Sequence, residues 1–181
     1  KKGRDSFRRE MQVEGVLVRQ IQGEEMVTEV TIYTDGSCFP NPGGPGGYAC
    51  ILICGKHRVA LSGGYKESTN NRMELMAAIK ALGYLTRRCS VTLYSDSQYV
   101  TNGVQRAYGW RMNEWRTKAG TPAKNRDLWE QLLALCEEHE VDFQWVRGHN
   151  GTLENEICDR LAGKAAKGFM LAIDEGYQCQ R

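Results

Sequence analysis

Apolar and polar residues alternate with period 2 over several short stretches of the chain, and recur at helical spacing over longer ones. The two clearest alternating stretches are Thr31-Ile32-Tyr33-Thr34-Asp35 and Thr92-Leu93-Tyr94-Ser95-Asp96, near copies of one another. Each reads as a β-strand, with Thr31, Tyr33 and Asp35 on one face of the first and Thr92, Tyr94 and Asp96 on one face of the second. The first strand is expected over about 28–35, followed by a loop rich in glycine and proline. Strands over about 47–54 and 57–65, joined at Gly55-Lys56, predict an antiparallel meander. Helical period runs from Asn70 to about Arg87, and the second aspartate-ended strand occupies 91–96. Shorter helices are expected over 97–103 and part of 106–116, and a longer one over about 125–138 with Leu128, Leu132, Leu135 and Cys136 on one side. A strand over 141–146, a glycine-flanked loop, and a helix from its Thr152 cap to about Lys167 complete the pattern. Beyond Gly168 no period is clear. This succession predicts an α/β fold, a mixed sheet with helices on its faces. If the two aspartate-ended strands are parallel neighbours, their carboxylates meet where open α/β sheets place ligands.

Length and composition narrow the picture. A chain of 181 residues with 41% hydrophobic content can bury one real core. The expected division is a charge-mixed appendage over 1–27 whose composition suits disorder, a domain over 28–168, and a tail over 169–181. The longest apolar run, Tyr48 to Cys54, suits a buried strand and is too short for a membrane span. Glu14 and Arg19 interrupt the only stretch that could serve as a signal core. The seven cysteines are scattered and never spaced Cys-x-x-Cys, and Cys50, Cys54 and His57 lack a fourth zinc ligand nearby. Free thiols and a cytoplasmic location are therefore expected. The net charge of +2 says little, but residues 103–126 carry six cations against Glu114 alone. Interleaved with Tyr108, Trp110 and Trp115, they suit a polyanion bearing flat bases or sugars. The same residues also suit a solvated amphipathic helix with its tryptophans turned inward.

Two further acids stand where an acid is unexpected. Glu74 begins the row Ala78, Ala81, Leu82, Leu85, and Asp159 lines up with Asn155, Ala162 and Ala166. Each has a structural alternative: Asp35 before glycine suits a turn, Asp96 a helix cap, Glu74 a capping box with Asn71, and Asp159 a first-turn acid. Taken together, four acids without partner bases can share a cleft only if cations join them. An all-oxygen set favours magnesium or manganese, two of which can serve an in-line phosphoryl displacement. His149 lies in the glycine-flanked loop ten residues before Asp159, where it could exchange protons near neutral pH. His57 and His139 are read as surface residues.

Five motifs now carry a resemblance. Tyr33-Thr34-Asp35-Gly36-Ser37, Thr69-Asn70-Asn71-Arg72-Met73-Glu74-Leu75, Ser95-Asp96-Ser97-Gln98-Tyr99-Val100, Lys124-Asn125-Arg126-Asp127-Leu128-Trp129, and Gly148-His149 through Glu154-Asn155-Glu156 to Cys158-Asp159 resemble type 1 ribonuclease H in order and spacing. The likeness spans about residues 28–168 and implies a ribonuclease H-like five-stranded mixed sheet of order 3-2-1-4-5 with helices on both faces. It also implies endonucleolytic cleavage of the RNA strand of RNA/DNA hybrids, leaving 5′-phosphate and 3′-hydroxyl ends. By resemblance, Asp35, Glu74, Asp96 and Asp159 are catalytic acids holding two Mg2+ ions, with Mn2+ as a substitute, and His149 is a proton shuttle. The Cys38 backbone, Asn41, Asn70, Asn71 and Gln98 match positions that read RNA 2′-hydroxyls. Asn102 stands where some members have glutamine. Thr69 and Asn125 match a pocket for a DNA phosphate, Trp110 an aromatic laid against the DNA sugars, and the basic segment a protruding handle. The expected partner is an RNA/DNA hybrid bound by a monomer.

The chain departs from the family in three places: a loop after Asp35 one residue longer than in bacterial relatives, a handle shorter by one with Met112-Asn113-Glu114 in place of cations, and Glu67 where several members have arginine. These bear on affinity rather than chemistry. A related metal-dependent nuclease or recombinase would not be expected to share Asn70-Asn71 or the handle, and the four intact acids argue against a silent hybrid-binding module.

Overall fold

The computed structural model describes residues 27–148 and 151–179. Its sheet contains β1 (Thr28–Cys38), β2 (Gly46–Cys54), β3 (His57–Tyr65), β4 (Cys89–Ser95) and β5 (Glu140–Trp145). Their spatial order is β3-β2-β1-β4-β5. The first three strands form the antiparallel meander, and β4 and β5 add in parallel on the other side of β1. The two aspartate-ended stretches are indeed neighbours in matched register, with Thr31 opposite Thr92, Ile32 opposite Leu93 and Tyr33 opposite Tyr94. The Tyr33 and Tyr94 rings stack with centroids 5.0 Å apart. Asp35 and Asp96 each lie two residues beyond these tyrosines, at the same end of the sheet.

Among the described residues the helices are α1 (Asn70–Leu82), α2 (Gln98–Thr101), α3 (Gly103–Met112), α4 (Arg126–Glu138), α5 (Leu153–Ala166) and α6 (Glu175–Gln178). On one face of the sheet, Ile32, Leu52 and Leu93 meet Leu75 and Leu82 of α1 and Trp129 and Leu132 of α4 in the main core. Burying each large apolar side chain of this kind contributes roughly 1.5–3 kcal/mol. On the other face, Ala49 and Ile51 pack against Cys158 and Ala162 of α5. Small residues on both sides let α5 lie close to β2. The sheet is thus covered on both faces, and the two aspartates stand at its end.

Several expectations need correction. Helix α1 ends at Leu82, capped by Gly83, rather than continuing to about Arg87. Leu85 nevertheless packs against the core, which explains why the apolar period outlasts the helix. The cap of α1 is Thr69, whose Oγ1 accepts a hydrogen bond from Arg72 N at 3.2 Å, so the Asn71–Glu74 capping box does not form. His139 is buried, and neither ring nitrogen has a hydrogen-bond partner. Trp115 is buried as well and belongs to the core rather than to an exposed basic stripe.

The tail without clear period is built into the fold. Ala172 bridges to Tyr65 beside β3, and the Asp174 side chain caps α6. The seven cysteines are all free. Among the described residues no helix is long and apolar enough to cross a membrane. The expectation of a disordered appendage falls almost wholly on residues 1–26, outside the described residues.

Candidate active site

Three elements converge at the carboxyl end of the central strands. Asp35 belongs to β1, Glu74 sits in the first turns of α1, and Asp96 follows the last residue of β4. Each offers one carboxylate oxygen, and these oxygens lie within 4.8 Å of one another. The approach of β1 to α1 depends on Gly36, since a Cβ there would collide with the backbone of Met73 and Glu74. Gly36 N also donates a 2.7 Å hydrogen bond to Asp35 Oδ1, fixing the carboxylate. Asp96 is held by two contacts. Asn155 Nδ2 of α5 donates to its Oδ2 at 3.3 Å, and Trp145 Nε1 of β5 donates to its main-chain oxygen at 3.0 Å.

The electrostatics of this cluster are unfavourable to its own charge. Burial pushes the Asp35 carboxyl up to about 7, and the charges of Asp96 and Asp159 push in the same direction. Glu74 is raised well above the ordinary carboxylate range, first by burial and then by Asp35 and Asp96. Glu74 Oε2 and Asn155 Oδ1 are buried without a hydrogen-bond partner. Crowded, under-satisfied carboxylate oxygens are what a hard divalent cation requires. Among the described residues, this trio is the one set of His, Cys, Asp and Glu side chains close enough to hold a metal. Asp159, half-buried on α5 one turn beyond Asn155, is near enough for its charge to act on Asp35 but lies outside the trio. His149 falls outside the described residues.

The remaining sequence-predicted residues lie on or beside β1, α1, α2, α3 and α4. Asn70 N donates to Asn41 Oδ1 at 3.1 Å, joining the loop after β1 to the start of α1. Asn70 Oδ1 is buried without a partner, and Asn71 is exposed beside it. The Cys38 thiol donates to Gly44 O and Ser68 O, both at 3.3 Å, tying the same two segments together. Gln98 and Asn102 are exposed at the two ends of α2. Trp110 on α3 stands edge-on to buried Trp129, with centroids 6.2 Å apart. Asn125 is more enclosed than a surface contact would be. It is buried in the left-handed conformation at φ 57°, its Nδ2 donates to Tyr99 Oη at 2.9 Å, and its Oδ1 accepts from Arg72 Nη1 at 3.4 Å. In the basic segment, Arg111 pairs with Glu137 and Arg126 with Glu130, whereas Arg106, Lys118 and Lys124 are exposed.

Sequence reasoning missed three contributors. Asn155 was visible as a polar member of the Asp159 row, but nothing local shows that it reaches Asp96. Arg72, a fully buried cation inside an apolar helix face, carries a signal only in retrospect: its position implies buried acids elsewhere. Tyr99 accepts hydrogen bonds from both Asn125 Nδ2 and Trp129 Nε1, a contact between distant segments.

Comparison with known proteins agrees with this geometry. The RNase H family model matches residues 27–167. A ribonuclease H of Syntrophus aciditrophicus is 53% identical over 82% of this chain and 87% of its own length. One of Aeromonas hydrophila is 51% identical over 84% of this chain and 99% of its own. Among solved structures, LC9-RNase H1, a type 1 RNase H with the type 2 active-site motif, is similar with TM-score 0.73 and 29% identity, covering 87% of this chain and 82% of that one. LC11-RNase H1, solved in complex with an RNA/DNA hybrid, shares the fold at TM-score 0.58 and 20% identity, covering 76% of this chain and 96% of that one. With the sheet order, the acidic trio and these relatives in agreement, the chain belongs to the ribonuclease H family.

Proposed function

We propose that this chain is an endoribonuclease that hydrolyses the RNA strand of RNA/DNA hybrids, leaving 5′-phosphate and 3′-hydroxyl ends. The observation that carries the reading is the convergence of Asp35, Glu74 and Asp96 within 4.8 Å, crowded enough to raise two of their pKa values. Asp35, Glu74 and Asp96, with Asp159 beside them, would hold two Mg2+ ions, and Mn2+ also suits their oxygen donors. When bound, such a pair supplies an activated water and stabilisation of the leaving oxygen. The protein's own part is to place those four acids and to hold Asp96 by Asn155 and Trp145. His149 exchanges a proton with the reacting groups.

Substrate choice rests on two surfaces. Asn41, bonded to Asn70 at the start of α1, offers with Asn70 and Asn71 amide groups to RNA 2′-hydroxyls, which DNA lacks. The Cys38 main chain, Gln98 and Asn102 extend that surface. Thr69, Asn125, Trp110 and the exposed cations of the basic segment take the DNA strand, whose phosphates the cations partly neutralise. The chain acts as a monomer, and its seven free thiols suit the reducing cytoplasm. A hybrid labelled at either RNA end, digested with Mg2+, tests this reading through the end groups of its fragments. Fragments with 5′-phosphates, absent with Asp35→Asn or Asp96→Asn, are expected. Fragments with 2′,3′-cyclic phosphates, or full activity in either variant, would overturn it.

A further inference from the structure

Outside the matched region, the tail places a carboxylate where a family comparison ending at residue 167 does not look. Asp174 is buried, and both its oxygens are occupied. Oδ2 accepts from Ser68 Oγ at 2.6 Å and from Arg72 Nε at 2.8 Å, and Oδ1 accepts from Arg72 Nη2 at 2.7 Å. Its neighbours hold it there: Ala172 N donates to Gly64 O and Lys66 N donates to Ala172 O, each at 2.9 Å. On its other side Arg72 donates to both oxygens of Asp127, from Nη1 at 2.9 Å and from Nη2 at 2.6 Å. Burial works against the Arg72 charge, yet the hydrogen bonds it donates to Asp127 and Asp174 raise its pKa beyond the ordinary arginine range.

The contacts of this network bracket the substrate face. Ser68 and Arg72 flank Thr69-Asn70-Asn71 in sequence, and Asp174 grips both. Asp127 lies two residues after Asn125, and Arg72 Nη1 also donates to Asn125 Oδ1. One guanidinium therefore joins the start of α1, the start of α4 and the tail. A buried charge tied to two carboxylates has a single low-energy placement, so it transmits position in a way that apolar packing does not.

We propose that Asp174 is a positioning residue for hybrid binding: through Ser68 and Arg72 it fixes Thr69-Asn70-Asn71 and, through Arg72, Asn125. This rests on the proposed hybrid-cleaving function. Glu74 is less dependent on the tail, because Met73 and Leu75 anchor α1 in the core with no exposed surface. Loosening Asp174 should therefore act on binding rather than on chemistry.

The test compares Asp174→Asn with the parent in the full chain, on a labelled RNA/DNA hybrid with Mg2+, well below either melting temperature. The expected result is a KM raised about tenfold, comparable to one charge-assisted hydrogen bond, with kcat within about twofold. Gly176→Ala provides a second variant that removes no charge. Its Cβ would collide with Arg72 Nη2 and Asp127 Oδ2, wedging the same network, and it should shift KM in the same direction. A lowered melting temperature with unchanged KM in both folded variants would make Asp174 merely structural and overturn the proposal. Should Asp174→Asn fail to fold, Gly176→Ala decides alone. A parent that neither binds nor cleaves the hybrid would instead overturn the functional reading, and this one with it.

Discussion

Replacing Gly36 by alanine probes how the carboxylates of Asp35 and Glu74 are brought together. A Cβ at this position would stand 2.9 Å from Glu74 Cα and closer still to Glu74 N and Met73 C, where ordinary contact begins at 3.4 Å. The obstructing atoms are backbone, so no side chain can swing aside. Helix α1 must retreat from β1, carrying Glu74 away from Asp35. Overpacking of this kind costs about 1–3 kcal/mol. For a chain of this size that corresponds to a melting-temperature loss of roughly 2–12 °C. Because misplacing reacting groups by about 1 Å can cost 10²-fold in rate, kcat should fall by about 10- to 100-fold. Hybrid affinity should fall as well, since Thr69, Asn70 and Asn71 stand at the start of the helix that must move. The assay is steady-state cleavage of a labelled hybrid at 25 °C beside a thermal melt. A variant with the parent's kcat and melting temperature would show that β1 and α1 do not meet backbone to backbone at Gly36.

Other outcomes follow from the same geometry. Asp35 titrates near 7 in the fold against an ordinary 3.8, so the stability associated with its protonated form is present at low pH and is lost as pH rises through 7. In EDTA the parent should therefore melt lower at pH 8 than at pH 6, and Asp35→Asn should narrow that gap; an equal gap in both proteins would place the liability elsewhere. Adding Mg2+ at pH 8 should raise the parent's melting temperature more than that of Asp35→Asn, and equal shifts would argue against ion binding at the trio. His149→Ala should slow turnover by roughly 10²- to 10⁴-fold without abolishing it, and an unchanged rate and pH profile would remove it from the mechanism. A chain beginning at Val27 should cleave the hybrid like the parent, because every motif follows that point; loss of activity in a folded truncation would show that residues 1–26 contribute.

Much of the fold was legible because strand period 2 and helix period 3.6 act over few residues. The near-identity of Thr31–Asp35 and Thr92–Asp96 even anticipated the parallel pairing that brings Tyr33 beside Tyr94. What was not legible depends on contacts between distant segments. The end of α1 was misjudged because Leu85 packs against the core after the helix has stopped. His139 looked like a surface residue because its burial is decided by tertiary packing and not by its own segment. The tail has too few residues for a period, and Asp174 acquires its role only when Arg72 faces it. In the site, Asp35, Glu74 and Asp96 could be named because an acid on a strand end or an apolar helix row is locally anomalous. Asn155 could not, since an asparagine in a first helical turn is ordinary until Asp96 lies 3.3 Å from its amide.

Selectivity for RNA paired with DNA, dependent on a metal held by three converging carboxylates, is the activity proposed for this chain. It is tested most directly by presenting one sequence as RNA/DNA hybrid, duplex DNA and duplex RNA, and measuring single-turnover cleavage over a Mg2+ titration with an EDTA control. Cleavage confined to the RNA strand of the hybrid and abolished by EDTA is predicted. Comparable cleavage of either homoduplex, or hybrid cleavage that persists in EDTA, would contradict the account.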